Sequence, residues 1–280
     1  MITASETRLI EAASTACEYE HPLARVDSLL TRFEPISLAE LQHVKLLDRT
    51  DTKYIMRISQ LERALRMIAG QYWVLCINGT RLNHYQNLYF DTGDFALYRQ
   101  HHNGLRVRYK VRIREYVESN LIFWEVKCKT NQNHTVKYRL QTPTIAPVVD
   151  ARADQFVTTH TPLSSHQLEP KLWNRFARMT LASKDTHERL TLDVNLEFGW
   201  GDAYAALPGI AVAEVKQAHY SPHSSFMRAM HELGIQPTRF SKYCAGVCLL
   251  YDNVKSNNFK TRMRLVERLM QEEQADGYAR

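Results

Sequence analysis

Apolar and charged residues alternate most regularly between positions 72 and 140. Runs at 73–77, 85–90, 105–114, 121–129 and 135–140 switch character at nearly every residue and are separated by turn-prone Asn-Gly, Thr-Gly-Asp and Asn-Gln-Asn segments. Period two with this punctuation predicts strands. Their close succession predicts antiparallel neighbours. Three more strands are expected at 49–56, 189–198 and 210–217. The second of these sets Leu190, Leu192, Val194, Leu196 and Phe198 on one face, with Arg189, Thr191, Asp193, Asn195 and Glu197 on the other.

Helices are signalled by their ends. Ser37-Leu38-Ala39-Glu40 is a capping box opening a helix towards Leu47, and Ser59-Gln60-Leu61-Glu62 opens another that Gly70 closes. A helix is read over 171–181, a further one begins at Ser221-Pro222 and ends at Gly234, and 241–251 is helical. The Pro-, Thr- and Ser-rich segment 141–169 reads as a loop, and the charged stretch from 259 to the end as a surface helix or tail. This divides the chain into an extension (1–35), a body (36–255) and a C-terminal segment (256–280).

Within the strands the charges are organised. Arg106, Arg108, Lys110, Arg112 and Arg114 occupy every second position and project from one side of a sheet. At ~7 Å and an effective dielectric of ~20, each neighbouring pair costs on the order of 2 kcal/mol before screening. The pattern recurs: Glu125, Lys127 and Lys129 share a face, as do Lys137 with Arg139, and Glu214 with Lys216. Two arrangements accommodate it. An edge or open sheet can turn its cations to water, or the sheet can curl and enclose them as a tunnel for a polyanion. The apolar bulk of the opposite faces, available to meet helices, favours the tunnel. Glu125, Asp193, Glu197 and Glu214 supply carboxylates on the cationic faces. Such oxygens suit Mg²⁺ or Mn²⁺, and Glu-x-Lys suits a same-face ion pair equally well.

Composition agrees with this picture. The 280 residues are 44% hydrophobic, enough for a large core, and Lys plus Arg outnumber Asp plus Glu by 36 to 30. Five scattered cysteines without a CxxC pair suit a reducing cytoplasm, and neither a secretory signal nor a run of about 18 apolar residues is present. A basic face leaves contact with a membrane surface or membrane protein open. There is no GxxxxGK[ST], GxGxxG or GxSxG, and no zinc finger, helix-turn-helix or RNP motif to suggest specific nucleic-acid binding.

Seven ordered motifs carry a resemblance. Leu-Asp-Arg-Thr-Asp-Thr-Lys-Tyr (47–54), Asn-Leu-Tyr-Phe-Asp-Thr-Gly-Asp-Phe (87–95), Gly-Leu-Arg-Val-Arg (104–108), Phe-Trp-Glu-Val-Lys (123–127), Leu-Asp-Val-Asn-Leu (192–196), Ala-Glu-Val-Lys (213–216) and Arg-Phe-Ser-Lys-Tyr (239–243) resemble the vacuolar transporter chaperone (VTC) domain. This is the polyphosphate polymerase branch of the triphosphate tunnel metalloenzymes. The resemblance implies an α+β fold, an antiparallel β-barrel with a basic lumen and helices packed outside. It implies phosphate-binding positions at Lys53, Arg106, Arg108, Lys127, Lys137, Arg178, Arg189, Arg239, Ser241 and Lys242, and a metal-binding glutamate at Glu214. Arg139 and Lys216 join them by strand parity, and Glu125 is a second metal candidate. The implied activity is transfer of the ATP γ-phosphoryl group onto polyphosphate with Mn²⁺ or Mg²⁺. In that scheme Arg106, Arg108, Lys127 and Lys137 hold phosphates, while Arg189 and Lys242 steady the transferring group. A tripolyphosphatase or nucleoside triphosphatase of the same fold, or a non-catalytic polyphosphate-binding module, would use the same residues.

Overall fold

The computed structural model describes residues 20–42, 49–132 and 134–278. Most of the N-terminal extension and the expected run of the second helix towards Leu47 lie outside them. Along the chain come α1 (Glu20–Leu30), β1 (Glu34–Ile36), α2 (Leu38–Gln42), β2 (Thr50–Arg57), α3 (Ile58–Ile68), β3 (Tyr72–Leu75), β4 (Asn83–Thr92), α4 (Ala96–His102), β5 (Arg108–Tyr116), β6 (Leu121–Lys129) and β7 (Thr135–Gln141). After these follow α5 (Ala151–His160), β8 (Leu168–Ser183), β9 (Glu188–Trp200), β10 (Ala203–Leu207), β11 (Ile210–Gln217), α6 (Ser225–Glu232), α7 (Lys242–Leu250) and α8 (Lys260–Tyr278).

The strands form one sheet in the order β2-β11-β9-β8-β4-β5-β6-β7, antiparallel throughout that path, with β10 on β9, β3 on β8 and β1 parallel to β3. The sheet curls, but β2 and β7 are not hydrogen-bonded to each other. The fold is therefore α+β with a curled, tunnel-like sheet whose seam is open. On its convex side, α1, α3 and α6 bury Val26, Leu30, Leu61, Leu65, Phe226 and Met230 against Tyr54, Met56, Leu190, Leu192, Val194, Ala213 and Val215. Farther along that side, Ala153 and Val157 of α5 meet Val111, Ile113, Trp124 and Val126. Among the described residues, no helix is long and apolar enough to cross a membrane.

Two helices lie on the concave side instead of outside. α7 and α8 bury Tyr243, Cys244, Val247, Val266 and Leu269 against Ile55, Leu172, Phe176, Leu196, Phe198 and Val212. Helices α1, α3, α5 and α6 thus pack outside as expected, while the curled sheet encloses an apolar half filled by α7 and α8 and a polar half left open.

Four local expectations also change. Residues 171–181 form the middle of β8, not a helix. Leu172 and Phe176 bury into the concave cluster, and Ala177, Met179 and Leu181 into the convex one. A strand apolar on both faces loses its alternation and mimics a helical pattern. Within the 141–169 segment, α5 is capped by Asp150 Oδ1, which accepts from Ala153 N at 2.7 Å. α3 begins at Ile58, one residue before the expected box: Gln60 Oε1 accepts from the Arg57 amide at 3.0 Å, and Glu273 of α8 takes both the Ser59 amide (3.0 Å) and its hydroxyl. α6 begins at Ser225, capped by Ser224 Oγ, which accepts from Met227 N at 3.4 Å, while the Gln217 side chain holds the Ser221 amide and carbonyl at 3.0 and 2.9 Å.

The face assignment of β9 changes at one residue. Asn195 adopts φ 51°, and the β8–β9 register shifts there, so Ala177 pairs with Val194 while Arg175 pairs with Glu197. A bulge of this kind adds one residue to one strand and reverses parity beyond it. Leu190, Leu192 and Val194 face the convex helices; Leu196 and Phe198 turn inward towards α7.

Gly246 lets α7 approach this apolar floor. A Cβ there would lie 2.6 Å from Phe198 Cδ1 and 3.0 Å from Leu172 Cδ2, both buried side chains. Gly246→Val is expected to destabilise the protein by about 1–3 kcal/mol through overpacking, read as a lowered midpoint in urea denaturation. An unchanged midpoint would mean that α7 is not seated as described.

Candidate functional site

Strand register assembles three charged clusters on the concave side. In the first, Arg112, Glu125 and Arg139 are cross-strand partners on β5, β6 and β7. Arg112 Nε and Nη2 donate to Glu125 Oε2 at 2.8 and 2.6 Å, Arg139 Nε donates to Oε1 at 3.0 Å, and Lys137 pairs with the same oxygen. Tyr116 adds a hydroxyl at 3.3 Å, and Arg114 Nε stands 3.8 Å away while donating to Asn87 Oδ1 at 2.8 Å. Burial works against ionising Glu125, whose side chain is 1% exposed, yet the surrounding arginines and Lys137 hold its carboxyl far below the usual range. Lys137 is the soft cation of the group: burial first, then the neighbouring arginines, pull its pKa well below that of a free lysine despite Glu125.

In the second cluster Arg178 grips Asp193 with two bonds, Nε to Oδ1 at 2.5 Å and Nη2 to Oδ2 at 2.8 Å, and Lys242 of α7 pairs with Oδ2. Arg178 lies over the Tyr85 and Phe176 rings at 5.0 and 5.2 Å, and Lys242 over Phe176 at 4.4 Å. Burial opposes the Asp193 charge, but the two cations hold its pKa down. In the third, Lys53 and Thr191 flank Glu214 across β2, β11 and β9. Lys53 pairs with Oε1, and Lys216 Nζ donates to Oε2 at 2.6 Å and to Thr191 Oγ1 at 3.2 Å. Burial pushes the Glu214 pKa up; Lys216, Lys53 and Lys127 more than offset it, so the carboxyl stays ionised.

The polar half of the lumen is a cavity of about 920 Å³ whose walls include Lys53, Arg106, Arg108, Lys110, Lys127, Lys129, Arg239 and Ser241. Among the described residues, Arg106, Arg108, Lys110, Lys127, Lys129 and Arg239 make no ion pair with a carboxylate. Arg108 donates to the Leu105 carbonyl at 2.7 Å, and Lys110 to Ser241 Oγ at 3.0 Å. That hydroxyl also accepts from Cys244 N at 3.2 Å, capping α7, so the positive end of the α7 dipole adds to the field at the wall. Burial, with Lys110 beside it, brings Lys127 down to about 8. Lys110 is lowered by burial too. His101 lies in the same wall, its Nε2 3.3 Å from the Tyr109 carbonyl, and burial keeps the ring neutral. The site is a socket in which cations outnumber carboxylates, with Asp51 in the wall and Glu214 near Lys127.

Of the residues named from the sequence, Lys53, Arg106, Arg108, Lys127, Arg239 and Ser241 meet at this cavity. Lys216 and Glu214 adjoin it through Lys53, whereas Arg178 with Lys242 forms a deeper layer around Asp193. Lys137 and Arg139 are gathered around Glu125, outside the cavity wall. Arg189 is also outside it, donating to the Leu41 carbonyl at 2.6 Å. Arg178 is a strand residue, not the helix residue expected. Lys110, Lys129 and Arg112 are legible by parity without an assigned site role, and Asp193, read as a carboxylate suited to a metal, is held by Arg178 and Lys242; His101 has no signal beyond its neighbourhood.

The family model described as the VTC domain matches residues 48–251. No curated protein matches the sequence. Similar solved structures include a Hippeastrum protein described as a putative adenylyl cyclase with a dominant triphosphatase activity, at 14% identity and TM-score 0.47, over 71% of this chain and 96% of that one. A putative adenylate cyclase from Bacillus halodurans shares 13% identity at TM-score 0.46, over 69% and 94%. A protein from Pyrococcus horikoshii OT3 shares 12% at 0.41, over 71% and 95%. Likenesses this distant say nothing about substrate.

The depressed Lys127 fixes a pH dependence. Between about 8 and the ordinary lysine value the unfolded chain holds the Lys127 proton and the folded one does not, so this group makes the ligand-free protein more stable as pH rises through that window. An anion in the cavity reverses the shift. Tripolyphosphate binding at pH 8 is expected to take up protons, giving a calorimetric enthalpy that varies with buffer ionisation heat, and to weaken at higher pH. Lys127→Arg should flatten the pH profile; uptake unchanged in that variant would assign the titration elsewhere.

Proposed function

The chain belongs to the VTC domain family, whose match spans residues 48–251, and from that premise we propose that it is a metal-dependent phosphotransferase that lengthens polyphosphate with the γ-phosphoryl group of ATP. The single observation carrying this reading is the set of cations that, among the described residues, are without ion-paired carboxylates around one cavity, at the capped N-terminus of α7. Positive charge concentrated in a partly desolvated space is costly until an anion of high charge density enters. A triphosphate meets that requirement better than a single phosphate.

Phosphoryl transfer asks for positioning and charge stabilisation more than for a nucleophilic side chain. In the proposed step, a terminal oxygen of the phosphate chain forms a bond to the γ-phosphorus as the bond to the β-phosphate oxygen breaks, leaving ADP. Arg106, Arg108, Lys110 and Lys127 hold phosphate oxygens on the strand side. Arg239 and the Ser241 end of α7 hold them from the opposite wall, and Lys242 and Arg178 polarise that wall through Asp193. Arg189 and the Lys137–Arg139 pair would act on a longer chain beyond the cavity, Lys53 and Lys216 beside Glu214.

The metal candidates differ in fitness. Glu125 does not fit: it is buried and both oxygens are occupied by guanidinium, ammonium and phenol groups. Glu214 does fit, being ionised, one-fifth exposed and paired only with lysines that can swing away. Among the described residues, no three His, Cys, Asp or Glu side chains gather at one point, so Mn²⁺ or Mg²⁺ would complete its shell with phosphate oxygens and water. Such an ion would supply neutralisation of charge on the transferring phosphates.

Incubated with ATP and Mn²⁺ or Mg²⁺, the protein should release ADP and form polymer resolved on a gel. Lys127→Ala and Arg108→Ala should each lower the rate by about 10²-fold or more, the scale of losing one charge-stabilising donor. Orthophosphate in place of polymer would replace the polymerase with a hydrolase of the same cavity. Tight polyphosphate binding without turnover would leave a binding module.

A further inference from the structure

The cavity is larger and less uniform than a phosphate chain requires. Its 920 Å³ stands near the upper end of small-molecule sites, about 300–1,000 Å³, and its walls are divided by chemistry. Strands β5 and β6 supply cations. The helical side adds apolar groups beside Arg239, Ser241 and Arg262: Phe240 before α7, Ala245 on α7, Phe259 just before α8 and Met263 in the first turn of α8. Phe259 and Met263 lie beyond residue 251, where the family match ends, so part of this wall comes from the C-terminal segment.

Hydrated phosphate oxygens gain nothing from such a wall, whereas a flat heteroaromatic ring does. Phe259 is also held in place. Its ring centroid lies 5.8 Å from Tyr98 and 5.6 Å, edge-on, from His102, and Arg262 covers it at 5.5 Å. The turn that carries it is tied down by Asn258 Nδ2, which donates to the His102 carbonyl at 2.8 Å. A fixed aromatic ring, with a guanidinium over one face and a polarizable thioether nearby, lines the same space as the phosphate-holding cations.

We infer that this wall is a nucleobase subsite: the base of a nucleoside triphosphate stacks against Phe259 beside Met263 and Phe240, and its phosphates run towards Arg108, Lys110 and Lys127. The inference rests on the triphosphate reading above and adds to it where the nucleoside sits and why it is preferred over an inorganic phosphate chain.

The test titrates the full chain, with EDTA present to prevent turnover, using ATP, inorganic tripolyphosphate and the triphosphate of fluorescent 2-aminopurine riboside. The wild-type protein should quench the fluorophore on binding. Phe259→Ala and Met263→Ala should each weaken ATP about tenfold, within the range for loss of a stacked base, relieve the quenching and leave tripolyphosphate affinity unchanged. Phe259→Leu keeps an apolar group against Tyr98 and removes the ring, so it gives the same result even where the alanine variant fails to fold. Equal losses for ATP and tripolyphosphate, no loss for either, or an unquenched bound fluorophore would overturn the subsite while leaving the triphosphate reading intact. Failure of the wild-type protein to bind either ligand would overturn that reading, and the subsite with it.

Discussion

Curling a sheet brings the side chains of its concave face closer together, so curvature and a one-sided distribution of cations oppose each other. At an effective dielectric of about 20, unit charges 4–7 Å apart repel by about 2–4 kcal/mol before screening. The protein meets this constraint unevenly. Glu125, Asp193 and Glu214 are each placed by strand register opposite the cations they neutralise, and there the interior is settled. Around the cavity, among the described residues, Asp51 stands in the wall but none of Arg106, Arg108, Lys110, Lys127, Lys129 and Arg239 is ion-paired, and much of the balance is left to whatever enters. Positions of three carboxylates on three strands thus separate framework from binding surface.

A second constraint comes from the helices inside the curl. Asp91, fully buried on β4, accepts the amides of Leu97 and Tyr98 at 2.8 Å each and the Tyr243 hydroxyl. One carboxylate therefore caps α4 and pins α7, and the Asp-Thr-Gly-Asp-Phe turn of the sequence has a structural role. α7 in turn carries Ser241 and Lys242 to the boundary between its apolar seat on Phe198 and Leu172 and the basic cavity. Packing on one side of this helix sets the electrostatics on the other.

Much of this was legible before any coordinates. Alternation located the strands around 85–90, 121–129, 135–140 and 210–217, because each has one face against helices and one towards polar side chains. The same rule put Arg108, Lys110, Arg112 and Arg114 on one side. It failed where burial is two-sided, as in β8, since apolar residues on both faces with polar ones scattered between them carry no period of two. Helix starts at Ile58 and Ser225 were misplaced because each has competing local caps: Gln60 closes back on the Arg57 amide while distant Glu273 takes Ser59, and Ser224 caps α6 while Gln217 ties up Ser221. Parity predicts that Lys127 and Lys137 project to the same side; it does not say which of them meets a carboxylate, because that depends on register between strands. The apolar fill of the concave side was hidden for a related reason, as nothing local to 242–250 says whether a helix lies inside or outside a curl.

Asn195 carries the last consequence. Before it, β9 presents Thr191 and Asp193 to the interior; after it, Leu196 and Phe198. One inserted residue acts as a phase shift in an otherwise periodic strand, converting a wet wall into a greasy floor without any change in the kinds of residue used. A chain with that insertion moved two positions towards its N-terminus would have a shorter charged bore and a deeper plug. The length of the channel is thus written in the location of a single backbone irregularity.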